Sequence, residues 1–179
     1  MFKKLIINPI LNLKRTFKLC IRIQNEKCIY AIASGTNQKC GLAVMRLSGK
    51  NSLKILSSLT KTNEDQFEPR KMYLKSLQHP VTGGKIDKAL VVWFKGEKSF
   101  TGEDCCEFHV HGGSAVLTSL MNALASFPDT KYAEPGEFSK RAFLNGRMDL
   151  GILKILNINL KYLVKLCYMN KVSVTGISI

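Results

Sequence analysis

The sequence has 179 residues, 45% of them hydrophobic, and a net charge of +14, with a mean hydropathy of −0.01. Such a length fits one globular domain with loose ends, and no run approaches the ~20 apolar residues that span a bilayer, so membrane insertion is not expected. The charge is concentrated at the ends: residues 1–28 carry +6 and residues 151–179 carry +4, which leaves +4 for residues 29–150. The high net charge is therefore a poor argument for nucleic-acid binding by the fold itself.

In chain order, residues 1–27 come first, basic and without an acid before Glu26. They interleave Lys and Arg with Ile, Leu and Phe, the composition of a mitochondrial transit peptide. CIYAIAS (28–34) reads as a short strand, 36–40 as a polar loop, and GLAVMRLSG (41–49) as a second strand bounded by glycines. Asn51 or Ser52 then opens a helix through Leu53, Ile55, Leu56 and Leu59. After a polar stretch at 61–70, residues 71–78 alternate as a half-exposed strand does, and residues 79–84 make a hairpin connection to the most apolar strand, 86–94.

A loop to Asp104 precedes another strand, 105–111, and Gly112-Gly113-Ser114 launches a helix over 115–125. One more short helix starts at Pro135-Gly136-Glu137-Phe138 and ends at Asn145-Gly146, where the glycine suits a C-cap. Strands interleaved irregularly with two to three helices predict an α+β domain with a mixed or antiparallel sheet. Beyond it, residues 151–179 hold four lysines and no acid. They read as a short amphipathic helix or as translated AT-rich non-coding sequence.

Candidate chemistry is sparse. The P-loop pattern has one near miss, Ser48-Gly49-Lys50-Asn51, with Val44 where the first glycine belongs and Asn51 where the magnesium-binding hydroxyl belongs; GTP binding by this chain is not expected. His109 and His111 share one side of a strand, but Cys105 and Cys106 point to opposite faces and four tetrahedral ligands are not visible, so no metal site is expected. The six cysteines make no Cys-x-x-Cys pair, which favours a reducing compartment. Gly112-Gly113-Ser114 offers free N–H groups at a helix start, a weak anion signal. By spacing alone, Glu107 and Arg46 are charges on the solvated faces of their strands, and no catalytic residue stands out.

Three ordered motifs carry a resemblance. Ser99-Phe100-Thr101-Gly102-Glu103-Asp104 through Glu107 to His111-Gly112-Gly113 resembles the signature SFTGED-x-x-E-x-x-x-HGG of the TrmE (MnmE) tRNA-modification GTPases. Pro135-Gly136-Glu137-Phe138 through Arg141-Ala142-Phe143 and Asn145 to Leu150 is similar to the family's second signature, and Ile29 to Gly49 to its first strand pair. The match covers about residues 28–150 and, in Glu-Phe-His-Val-His, is nearest to mitochondrial members. It implies the TrmE N-terminal, tetrahydrofolate-binding fold. It also implies a homodimer that binds 5-formyl-tetrahydrofolate or a related one-carbon folate, at positions corresponding to Arg46, Glu107 and Arg147. Glu107 suits the N–H donors of a pterin edge, and the arginines suit the anionic glutamate tail.

In the parent family, GTP, potassium and a GidA (MnmG)-type FAD protein serve modification of the tRNA wobble uridine, in the mitochondrial matrix for the organellar members. The resemblance stops at Leu150, so residues 151–179 are expected to be non-family sequence, from a chain truncated before the GTPase domain. The alternatives are a short isoform that interferes with dimerisation, and a non-enzymatic RNA-binding module that uses its basic ends.

Overall fold

A computed structural model describes residues 27–34 and 40–148. The transit-peptide reading of 1–27 (Lys27 apart), most of the polar loop at 36–40 and the divergent tail at 151–179 lie outside the described residues. In chain order the elements are β1 (Cys28–Ile32), β2 (Leu42–Ser48), α1 (Ser52–Thr60), β3 (Met72–Gln78), β4 (Lys85–Phe94), β5 (Cys105–His111), α2 (Ser114–Ala125), β6 (Thr130–Tyr132) and α3 (Glu137–Leu144). The strands form one six-stranded sheet in the order β3-β4-β5-β2-β1-β6. All neighbours are antiparallel except β1 and β6, which run parallel. The fold is α+β with a mixed sheet, as the interleaving of strands and helices predicts.

Period-two alternation gives the sheet two different faces. One row runs Tyr30, Leu47, Cys106 and Trp93 across four strands, and the next places Met45, Phe108 and Val91 side by side. All of these are buried. Ile55, Leu56 and Leu59 of α1 and Leu120, Ala123 and Leu124 of α2 join the same cluster, so both helices cover this face. Each fully buried leucine contributes roughly 1.5–3 kcal/mol, which makes this layer the main source of stability.

The opposite face carries the rows Ile29-Ser48-Cys105-Phe94, Ala31-Arg46-Glu107-Val92-Met72 and Val44-His109-Leu90-Leu74. Neither α1 nor α2 covers it. At its first row the loop 99–104 and α3 close over the sheet, because Ser48 bonds to Thr101 and Glu103, and Glu103 bonds to Arg141 of α3. The other two rows hold Met72, Leu74 and Leu90, each more than 40% exposed. Among the described residues no helix is long and apolar enough to cross a membrane.

One element was not predicted. β6 is three residues, Thr-Lys-Tyr, and pairs with β1 in the register Cys28↔Thr130 and Tyr30↔Tyr132. The α2 helix starts one residue earlier than its predicted range, at Ser114, with Gly113 in extended geometry before it and no side-chain cap.

Candidate functional site

The site begins with two strands that place unlike charges opposite each other. Arg46 of β2 and Glu107 of β5 are direct partners in the antiparallel register, where cross-strand side chains lie close enough to pair. Arg46 donates twice to the same oxygen, Glu107 Oε1, from Nε at 3.0 Å and from Nη2 at 2.6 Å. The guanidinium also lies 5.4 Å from the centroid of the Phe100 ring, within cation–π range. The two side chains are 30% and 19% exposed. Spacing predicts solvated surface charges; cross-strand pairing instead makes them one half-buried ion pair.

His109 lies on the same face, two residues beyond Glu107. Its Nε2 is 3.5 Å from Glu107 Oε2, while that nitrogen is closed to solvent and makes no hydrogen bond. His111 has a different environment. It is exposed and its Nδ1 contacts Asp87 Oδ1 at 2.9 Å. Burial pushes the Asp87 carboxyl up, but the backbone and ring of His111 and the Lys88 N–H outweigh it and hold the group below its usual range. The two histidines of the His-x-His motif therefore have separate carboxylate partners. No group of three metal-ligating side chains is present among the described residues.

Arg147 stands on the turn after α3, exposed, and among the described residues the ion-pair partners of Glu107 are Arg46 and His109. Its position is set by the helix end. Arg147 N–H donates to Ala142 O at 2.7 Å and Gly146 N–H to Phe143 O at 2.9 Å, with Gly146 at φ +69. This paired closure is the Schellman geometry that an αL glycine permits. On its other side Arg147 leans on Gly102: a Cβ added there would meet Asn145 Cβ at 2.7 Å and Arg147 Cγ at 3.2 Å. Gly102 also has φ +79, so both its conformation and its neighbours call for glycine.

The two signature segments thus turn out to grip each other. Within loop 99–104 the polar side chains face inward. Ser99 Oγ accepts from Gly102 N–H, Thr101 Oγ1 lies 2.6 Å from Ser48 Oγ, and Asp104 Oδ1 accepts from Gly96 N–H. From the second segment, Asn145 Nδ2 donates to Thr101 O at 2.7 Å and Arg141 Nη1 to Glu103 Oε2 at 3.0 Å. Arg141 is 1% exposed and also donates to Lys27 O and to Glu137 Oε1. Burial raises the Glu137 carboxyl, but the Glu134 N–H, Lys131 and Arg141 outweigh this and keep it below the ordinary range. Only Phe100 of the loop presents a large side chain outward, 44% exposed.

Phe100, Glu103, His109, Arg141 and Asn145 were not singled out as site residues from the sequence. Phe100, Glu103, Arg141 and Asn145 do lie inside the two motifs, which was the available signal. The near-miss P-loop is a filled turn. Gly49 N–H donates to Asp104 O, and Ser52 Oγ donates to Gly49 O, so these groups are spent within the fold. Cys28, Cys105 and Cys106 are buried free thiols. Burial pushes the Cys28 thiol up and the Cys106 thiol well above its usual range, away from the reactive thiolate form.

The comparisons with known proteins fall on the same segment. The family model described as GTP-binding protein TrmE N-terminus matches residues 28–147. The mouse mitochondrial 5-taurinomethyluridine-tRNA synthase subunit GTPB3 is 48% identical over 122 residues, which is 68% of this chain and 24% of that protein. The zebrafish protein of the same name is 44% identical over 137 residues, 76% of this chain and 26% of its own. The tRNA modification GTPase MnmE of Beijerinckia indica is 48% identical over 122 residues, 68% of this chain and 26% of its own. The chain spans about a quarter of the length of these curated relatives. Through residues 28–147 the chain belongs to the TrmE family of tRNA-modification GTPases, of which it carries the N-terminal domain.

Proposed function

We propose that this chain holds a one-carbon folate, 5-formyl-tetrahydrofolate, and pairs with a second copy of itself, as the folate-binding module of a mitochondrial tRNA wobble-uridine modification GTPase. The observation that carries the reading is the Arg46–Glu107 pair beside Phe100 on the sheet face that α1 and α2 leave open. The donor set suits the ligand. With Oε1 engaged twice by Arg46, Glu107 offers Oε2 to an N–H of the pterin edge. Arg46 and Arg147 supply the cations for the glutamate tail, and Phe100 supplies an aromatic surface for a flat ring. When bound, the folate supplies the one-carbon unit; this chain's residues bind and orient it.

Homodimerisation is supported by Met72, Leu74 and Leu90, exposed on the same face as the ion pair. The mitochondrial setting is supported by the names of the vertebrate relatives. GTP, potassium, the GidA (MnmG)-type FAD partner and the tRNA belong, in this reading, to the parent protein's other parts. The domain bounds are residues 1–27 as presequence, 28–150 as the folate domain and 151–179 as a divergent tail. The test is a calorimetric titration of the full chain with 5-formyl-tetrahydrofolate, beside Glu107→Ala. Saturable binding that weakens at least about tenfold in Glu107→Ala is the expected outcome, since a charged hydrogen bond contributes ~1.5–3 kcal/mol. Equal affinity of the two proteins removes Glu107 from the site.

A further inference from the structure

We propose that His109 is a positioning residue for Glu107: its Nε2–H is directed at Oε2 and fixes the plane of the carboxylate. The inference rests on the reading of Glu107 as a ligand-contacting group. It starts from an asymmetry in the ion pair. Both Arg46 bonds end on Oε1, so they restrain the carboxylate from one side only and give Oε2 no bond, across a terminal torsion that is broad and roughly two-fold. A group that reads a flat ligand edge needs that plane fixed, and a second anchor on Oε2 supplies it.

His109 Nε2 is placed for this role and engaged in no other. It lies 3.5 Å from Oε2, makes no hydrogen bond and is shut off from solvent. The strand register holds the ring in place, with Val44 and Leu90 as its cross-strand neighbours. Neither offers a polar side chain. A bare Nε2 would aim its lone pair at a carboxylate oxygen, which is repulsive; a protonated Nε2 meets an acceptor. Closing from 3.5 Å to the ~2.7–2.9 Å of a charge-assisted bond needs only a small rotation of either side chain. Oε2 then keeps one acceptor position for a ligand N–H. The carboxylate would have three of its roughly four acceptor sites filled by the chain itself and one left to the ligand.

Two measurements test this in the chain of 179 residues. The first needs no ligand. The ring nitrogens of His109, assigned by the signal lost in His109→Gln, are observed by 15N NMR in alkaline buffer, where imidazoles are neutral. The expected tautomer carries its proton on Nε2, and a bare Nε2 overturns the proposal. The second is titration with 5-formyl-tetrahydrofolate. His109→Leu is expected to weaken binding about tenfold, and His109→Gln, which restores an N–H donor, to recover most of it. In a Glu107→Gln background His109→Leu should change affinity less than about twofold, because its only route to the ligand is through Glu107. An equal loss in both backgrounds overturns the positioning role. If wild-type protein binds no folate, the reading under Proposed function fails, and the ring-nitrogen measurement still decides the His109–Glu107 contact.

Discussion

Arg141 keeps a full positive charge in a place almost closed to water. Such a charge is tolerated only when its donors are matched, and here two of its three nitrogens are: Nη1 to Glu103, and Nη2 to Lys27 O and Glu137. The third, Nε, has no partner. Removing the arginine takes from the largely buried Glu103 carboxylate the charge that Arg141 supplies, and removes one of the links between α3 and loop 99–104. Arg141→Leu is therefore expected to destabilise the domain by roughly 3–5 kcal/mol, the usual cost of breaking a buried pair from one side. Urea denaturation followed by circular dichroism measures it. A loss under about 1 kcal/mol would mean that the pair contributes little more than a surface ion pair does.

Glu103 and Arg141 also show what motif residues do in this domain. In sequence they sit inside two signatures 30-odd positions apart, and a motif with several charges suggests ligand contacts. In the structure those charges pair with one another and hold α3 against the loop that carries Phe100.

At the scale of elements, two loop-and-turn pieces meet at Gly102. Loop 99–104 approaches the turn after α3 so closely that a single methyl group does not fit, at 2.7 Å from Asn145 Cβ, and the backbone there is at φ +79. Gly102→Ala therefore carries two penalties, about 1–2 kcal/mol for left-handed backbone in an alanine and the displacement of Asn145 or Arg147. The expected result is a modest fall in melting temperature with a disproportionate loss of folate affinity, because Arg147 moves. Parallel thermal melts and titrations separate the two effects. Unchanged affinity in a folded Gly102→Ala protein would show that the placement of Arg147 does not matter to binding.

The elements themselves were legible to unequal degrees. β2, β4 and β5 announce themselves by apolar runs, and α1 and α2 by helical spacing of their leucines. β6 could not be read, because Thr130–Tyr132 is too short for a period and owes its strand geometry to pairing with β1. Arg46 and Glu107 each read as outward-facing, which their alternation bears out. That they face each other depends on a register between strands 61 positions apart, which no local pattern encodes. Only the family resemblance singled them out together, and it gave no role to His109 or Phe100.

At the scale of the whole domain, the two faces of the sheet divide the work. One is sealed by α1 and α2 and supplies the core. Among the described residues the other is closed only along its first row, and its remaining rows put Met72, Leu74 and Leu90 in the open beside the ion pair. Three large apolar side chains on adjacent strands form a patch of the kind that marks an interaction surface. Edge pairing through β3 is the competing route to a dimer, since β3 has no outer partner among the described residues. Against that route, Lys71 and Lys75 stand on or beside the edge strand, and edge lysines discourage strand addition. The face is the better interface, and Leu74 tests it: the residue is 56% exposed, so Leu74→Lys should cost the fold no more than about 0.5 kcal/mol. Wild-type protein is expected to sediment as a dimer and Leu74→Lys as a monomer with an unchanged circular dichroism spectrum. A Leu74→Lys protein that still sediments as a dimer would move the interface away from this face.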